Sequence, residues 1–298
     1  MEKPASDKPA SERAANEERS QRADATGPRR FRDRQPGASL LRIAFYIFIA
    51  RTTLLLGKLL FGLAARDVSN VPSTGPVLLA ANHQSYLDPP FIGCLIRARN
   101  LDYIARVGLF WGPLGWLISA LSAIPIRGSG ADKGTIREVA NRLKMGRGTL
   151  IFPEGSRTED GKLGPFSAGV LMLAKLSDAP VVPVAITGAY KAWPRSRAFP
   201  TPWKARVIVQ YGRPIAAKEL LALGSDAAMA RLQQEIEALL RELGDEGVVA
   251  ESASRAAKVQ GTGETPVLPA EGTGETPVLP AEKTGETPVP PGRPRSSS

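Results

Sequence analysis

The chain holds a single histidine, His83, and it stands five residues before an aspartate in the run LAANHQSYLDPP, residues 79–90. A carboxylate that holds one ring nitrogen of an imidazole leaves the other free to take a proton, which is general-base chemistry. Positions five apart lie about 140° from each other on an ideal helix and on opposite faces of a strand, so His83 and Asp88 can meet only across a turn. QSYL followed by Pro89 and Pro90 supplies one. Pro89 holds Asp88 away from helical dihedrals and itself suits the first position of a helix. The same residues admit a plainer reading, with Asp88 as the N-cap of that helix and His83 a loop histidine bonded to backbone.

A second run, IFPEGSRT at 151–158, leaves an apolar strand through Pro153 into a turn containing Gly155. Gly155 permits close backbone approach, successive N–H groups from Gly155 to Arg157 can form a concavity for an anion, and Arg157 offers a planar fork to a phosphate. The plainer reading is an ordinary strand-to-loop turn with a solvated arginine. Cys94, the single cysteine, lies in FIGCLI and reads as a small buried hydrophobe rather than a nucleophile. One Cys and one His exclude an internal disulfide and a Cys/His zinc cage, and carboxylates are nowhere grouped at ligand spacing.

The elements that must position these residues are legible as apolar runs bounded by turn residues. Segments 76–82, 101–106, 122–127, 148–155, 180–187 and 205–212 read as strands. Between them, 132–146 carries Ile136, Val139 and Leu143 on one stripe, 167–177 opens with a capping serine, and 226–243 is a strong closing helix. Strands alternating with helices predict an α/β domain over 68–245, with a mixed, largely parallel sheet flanked by helices.

Residues 39–67 are rich in Leu, Ile, Phe and Ala but interrupted by Arg42, Arg51, Lys58 and Arg66. The longest uncharged stretch is eight residues, short of the roughly 20 that a spanning helix wants. Arg51, Lys58 and Arg66 fall within a sector of about 80° on a helix, with Arg42 opposite. The expectation is an amphipathic helix or bent pair lying in the membrane interface with its basic stripe toward lipid phosphates; packing on a soluble core is the competing reading.

Length, 298 residues, allows one large or two small domains, and the ends do not read as domains. Residues 1–38 are polar and mixed in charge, which predicts a disordered arm. In the tail, 246–298, GTGETPVLPAE at 261–271 recurs unchanged at 272–282 and KTGETPVPPG follows, units without a face to stack, so an extended solvated tail is expected. Of 39 basic and 29 acidic side chains, 25 and 15 lie in 39–245, so the whole formal charge of +10 sits on the core. A cationic core implies an anionic partner: nucleic acid, an acidic membrane surface or a phosphorylated substrate. No zinc finger can be built and no recognition helix stands out, so nucleic acid is not expected.

Taken together, the motifs resemble those of the glycerophospholipid acyltransferases, the family that includes 1-acyl-glycerol-3-phosphate acyltransferase. NHQSYLD is similar to the family's first signature, AIPIRG at 123–128 to its second, FPEGSRT to its third, and VVPVAITG at 181–188 to its fourth, in order over about 70–215. The resemblance implies that His83, oriented by Asp88, acts as general base on the hydroxyl of a lysophospholipid such as lysophosphatidic acid, which attacks the thioester of acyl-CoA or acyl carrier protein. It implies that Arg127, Glu154, Gly155 and Arg157 bind the acceptor's glycerol phosphate, with Glu154 orienting an arginine or a hydroxyl. It implies further that no metal or tightly held cofactor is needed. Membrane phospholipids would then be partners, through 39–67 and the stretch GLFWGPLGWLISAL at 108–121, on the cytoplasmic face of the cell membrane as a peripheral or monotopic protein. Lyso-ornithine lipid as acceptor, or a non-catalytic lipid-binding protein, are the alternatives.

Overall fold

A computed structural model of the protein describes residues 31–127 and 133–244. The first 30 residues and the repeats within 246–298 lie outside the described residues. Residues 31–38, expected in the polar arm, are part of the folded body: a 3-10 turn spans Phe31–Arg34, and the buried side-chain amide of Gln35 donates to Asp102 (3.1 Å) and Ser122 (2.8 Å). Composition averaged over the arm could not register one glutamine with two buried acceptors.

Helix α1 (Leu40–Phe61) opens at Ser39, whose hydroxyl accepts the N–H of Arg42 at 3.3 Å, and closes at Gly62 in the left-handed region, φ 55°. That stop corrects the expected 39–67 element. The chain leaves the helix, and Ala64–Arg66 forms strand β1, so Arg66 is not on a helical basic stripe. Nor is α1 amphipathic in the expected sense. Ile43, Tyr46, Leu54 and Phe61 face the protein while Leu41, Phe48, Leu55 and Leu59 face outward, so apolar residues lie on both sides. At 100° per residue the outward four cluster within about 40°, with Arg51 and Lys58 along one flank.

Among the described residues seven strands form one sheet: β1, β2 (Val77–Ala81), β3 (Leu101–Arg106), β4 (Ala123–Ile126), β5 (Gly148–Ile151), β6 (Val181–Thr187) and β7 (Ile208–Tyr211), ordered β1-β7-β6-β2-β5-β3-β4. Only the β6–β7 pair is antiparallel. β2 sits at the centre, in register with β5 (Ala80 opposite Ile151) and with β6 (Ala80 opposite Pro183). All five of its residues are buried, as a central parallel strand covered on both faces requires. Its side chains alternate: Val77, Leu79 and Ala81 pack toward α1 and helix α2 (Asp88–Leu95), and Leu78 and Ala80 toward the opposite layer. That layer holds α4 (Lys133–Lys144), α5 (Gly169–Ser177), α7 (Ala217–Ala222) and α8 (Ser225–Glu242). Short helices α3 (Gly112–Ala120) and α6 (Ala189–Ala192) complete the order. Ser167 does not cap α5 as expected; its hydroxyl donates to the carbonyl of Pro153 at 2.9 Å, tying α5 to the loop after β5.

α1 is keyed to the sheet by tyrosines. The hydroxyls of Tyr46 and Tyr103 are hydrogen-bonded to each other, and that of Tyr46 accepts the N–H of Leu101 at 3.2 Å. Gly93 on α2 lies over this pair, where a Cβ would stand 2.0 Å from the Tyr103 oxygen, so only glycine fits. Cys94 is buried beside it, and burial pushes its thiol up to about 12, which keeps it a neutral hydrophobe.

Candidate active site

Three adjacent strands deliver the site at their C-terminal ends, where parallel α/β sheets place their ligands. β2 ends at Ala81, and Asn82 prolongs its pairing with a side chain instead of a backbone. The Asn82 amide donates to the Ile186 carbonyl at 3.0 Å and accepts the Ile186 N–H at 2.8 Å. His83 therefore leaves the sheet from a fixed point rather than from a frayed end.

Its side chain is held on two sides. The Nδ1–H of His83 donates to Asp88 Oδ2 at 2.8 Å, and the ring stacks on Phe152, the residue after β5, with centroids 3.9 Å apart and planes 17° off parallel. Asp88 is fully buried at the start of α2, and the same Oδ2 also accepts the N–H groups of Gln84 and Ser85, each at 2.6 Å. An oxygen that collects three donors is an acceptor, which leaves the imidazole proton on Nδ1 and the lone pair on Nε2. Asp88 thus shapes the turn from His83 to α2 as well as the tautomer; it caps the turn before it, not the helix after it.

The main chain of His83 is held as well, by the loop after β5. Its N–H donates to Glu154 Oε1 at 2.7 Å, and its carbonyl accepts the N–H of Thr158 at 2.9 Å. The second oxygen of Glu154 accepts the N–H of Gly164 at 3.0 Å. Glu154 therefore grips backbone on both sides, where the sequence pointed to an arginine or a substrate hydroxyl as its partner. Burial pushes its carboxyl up to about 7, against the lowering effect of those two N–H bonds.

Gly155 has φ 70°, which favours glycine, and a Cβ there would meet nothing within 4 Å. The requirement is conformational rather than one of close approach. The Gly155 N–H closes the turn onto the Phe152 carbonyl at 3.0 Å, so it is not part of an anion concavity as expected. The Arg157 guanidinium lies 3.4 Å above the ring of Tyr86, which in turn leans on Trp193, and its buried Nη1 has no hydrogen-bond partner. A cation fixed by stacking, with a donor left over, is poised for an anionic ligand. Arg127 follows β4 at the sheet edge, exposed, next to residues 128–132 outside the described set. Three strand spacings separate β4 from β2, roughly 14 Å, so Arg127 is not brought to His83.

Tyr86, Phe152 and Thr158, to which motif reading gave no role, lie with Asn82 inside the two motifs, and only the adjacency of β2 with β5 and β6 gives them their roles. Among the described residues no group of three or more His, Cys, Asp or Glu side chains could hold a metal ion.

The sequence model of the acyltransferase family matches residues 63–187, which contain His83, Asp88, Phe152, Glu154 and Arg157 but not Trp193. Among curated relatives, the chloroplast 1-acyl-sn-glycerol-3-phosphate acyltransferase of Brassica napus is 31% identical over 133 residues, 43% of this chain and 38% of that protein. The lyso-ornithine lipid O-acyltransferase of Pseudomonas aeruginosa is 34% identical over 122 residues, 40% and 46% of the two chains. This chain spans less than half the length of the plant relatives it matches. Among solved structures, the 1-acyl-sn-glycerophosphate acyltransferase PlsC of Thermotoga maritima superposes with a TM-score of 0.58 at 27% identity, covering 69% of this chain and 80% of that one. The likeness to the acyltransferase family thus rests on a shared sheet and on two signature runs that meet over neighbouring strand ends as that sheet requires.

Proposed function

We propose that the protein moves a fatty acyl group from acyl-CoA or acyl carrier protein to the free hydroxyl of lysophosphatidic acid, giving phosphatidic acid. The observation that carries this reading is His83, with Nδ1 held by Asp88 and its backbone gripped by the loop that bears Arg157. In the reaction, Nε2 takes the proton of the acceptor hydroxyl as its oxygen attacks the thioester carbonyl carbon. The tetrahedral intermediate collapses with cleavage of the C–S bond, and the thiolate leaves with the proton returned by the imidazolium. The attacking group is the acceptor's own alcohol, so the protein supplies no nucleophile. Arg157 would hold the acceptor's phosphate, and Arg127 would add charge from the sheet edge. Gly155 sets the turn that aims Arg157, and Glu154 keeps the His83 loop in place. The proposal includes no resident metal or cofactor; the thioester is a co-substrate.

A lipid acceptor and product fit association with a membrane. α1 is, among the described residues, the one helix long and apolar enough to cross a bilayer by length and composition. We favour its lying on the cytoplasmic face, because its inner side is bound to the sheet. Its outward row of Leu41, Phe48, Leu55 and Leu59 continues into α3 through an edge-to-face contact of Phe45 with Trp116, and Trp111, Trp116, Phe199 and Trp203 are all exposed. Exposed tryptophans of this kind suit the interfacial zone.

The test is acyl transfer from labelled acyl-CoA to lysophosphatidic acid in mixed micelles. Wild type should form phosphatidic acid, and folded His83→Ala should lose about 10²- to 10⁴-fold in rate; undiminished turnover in that variant would sink the mechanism. The Pseudomonas relative supports a second acceptor, so lyso-ornithine lipid belongs in the same assay. A preference for it would change the substrate and keep the chemistry.

A further inference from the structure

A small, solvent-open recess lies beside α1 near the start of β3. Arg34, Arg51 and Arg97 line it, with Ile47, Ala50 and Asn100, and among the described residues no carboxylate does. Arg51 and Arg97 form no ion pair among the described residues. Asn100 is 1% exposed, yet neither the oxygen nor the nitrogen of its side-chain amide has a hydrogen-bond partner. A buried amide left unsatisfied on both atoms is costly, and such groups in a native fold ordinarily have a water or a ligand. Its backbone N–H is already used, donated to the Arg34 carbonyl at 2.9 Å, so the demand comes from the side chain alone.

The recess is not part of the candidate active site. Asp88 begins α2, whereas Cys94 and Ile96, which line the recess, stand at its far end, about 12 Å along the axis. β3 starts next to Asn100, at the end of the sheet opposite the one His83 leaves from.

We propose that this recess is a second anion site, which takes a phosphate-bearing group against Arg51, Arg97 and the Asn100 amide. Guanidinium N–H groups and the amide nitrogen donate to phosphate oxygens, and the amide oxygen accepts from a ligand hydroxyl or a protonated phosphate oxygen. Two sources carry that chemistry, a phospholipid headgroup and free phosphate. Placement favours the lipid. Arg51 stands on α1 between the recess and the outward row of Phe48, Leu55 and Leu59, so acyl chains along that row bring a headgroup to it. The inference does not rest on the acyl-transfer reading, and His83→Ala protein should bind like wild type.

The experiment uses the full chain with three single variants: Arg97→Gln, Asn100→Leu, and Lys218→Gln as a control that removes one exposed charge from α7 on the other layer. Vesicles of phosphatidylcholine and of equal parts phosphatidylcholine and phosphatidylglycerol form one arm, and inorganic phosphate followed by calorimetry forms the other. Arg97→Gln and Asn100→Leu should each weaken binding to the mixed vesicles about tenfold, with Lys218→Gln within about twofold of wild type. Phosphate binding with the same dependence on Arg97 and Asn100, but no such dependence in vesicle binding, would support the site with a soluble source. Equal losses for Arg97→Gln and Lys218→Gln in both arms, or no effect of Asn100→Leu in either, would overturn it, since attraction would then follow overall charge.

Discussion

Glu154 accepts the main-chain N–H of His83 at 2.7 Å, so the candidate base is held by a carboxylate from the neighbouring strand loop as well as by Asp88. Burial raises the Glu154 carboxyl from 4.5 to about 7. Unfolded chains ionise first, so between pH 4.5 and about 7 the folded state binds the extra proton and stability falls as pH rises, with no further change above. Denaturant melts across that window should show the slope in wild type and lose much of it in Glu154→Gln. At pH 8 the same variant should turn over at least about tenfold more slowly, because a Gln nitrogen placed against one of two N–H donors loosens the loop.

Asp88→Asn keeps the volume but offers donors where Oδ2 now accepts from His83, Gln84 and Ser85. The favoured imidazole tautomer is lost, and kcat should drop by about 10³-fold with the acceptor KM little changed. Two buried N–H groups also lose a charged acceptor, which should lower stability by about 1–3 kcal/mol. Wild-type kcat in the Asp88→Asn variant would contradict the assigned tautomer.

Phe152 stacks on the imidazole at 3.9 Å and packs against the core on the α1 side. Phe152→Leu retains apolar volume without a flat face, so the rate should fall more than the melting temperature does. Phe152→Ala should lower both, by roughly 2–4 kcal/mol in stability. Parallel kinetic and thermal measurements on the two variants separate orientation from packing.

Asn82→Ala leaves the Ile186 N–H and carbonyl unpaired in a buried site. The expected loss is about 2–4 kcal/mol, with faster amide exchange at Ile186 and His83 than in wild type. Exchange unchanged at both positions would show that the side chain is not what extends the β2–β6 pairing.

Replacing Phe48 and Leu55 together by serine removes apolar area from the outward side of α1 and nothing from the core. Co-flotation with vesicles should fall by at least about tenfold, while the melting temperature in the absence of lipid stays within a few degrees.

The sheet was largely legible because its central strands are buried on both faces and read as unbroken apolar runs, as in VLLAA at β2 and VVPVAIT at β6. β1 was hidden, since three residues after a long apolar helix carry no period of their own; it exists through pairing with β7. α3 was read only as an apolar stretch, because Gly112, Pro113 and Gly115 obscure a helical pattern. In the site, the spacing of His83 and Asp88 demanded a turn, and the structure has one. The reach of Glu154 to the His83 backbone was not readable. The two residues are 71 positions apart in the chain, and they meet only because β2 and β5 are neighbours, which no local pattern announces.

Under the proposed function, the keying of α1 to the sheet through Tyr46, Tyr103 and Gly93 bears on how a lipid would reach His83. A helix fastened in this way cannot sink into a bilayer independently of the strands behind it. Once its outer row is embedded, the sheet rides at a set altitude over the headgroups, and His83 with it. The stretch of the proposed acceptor to be lifted out of the leaflet would then be a constant of the fold, a ruler built from two tyrosines and the one residue small enough to pass between helix and ring.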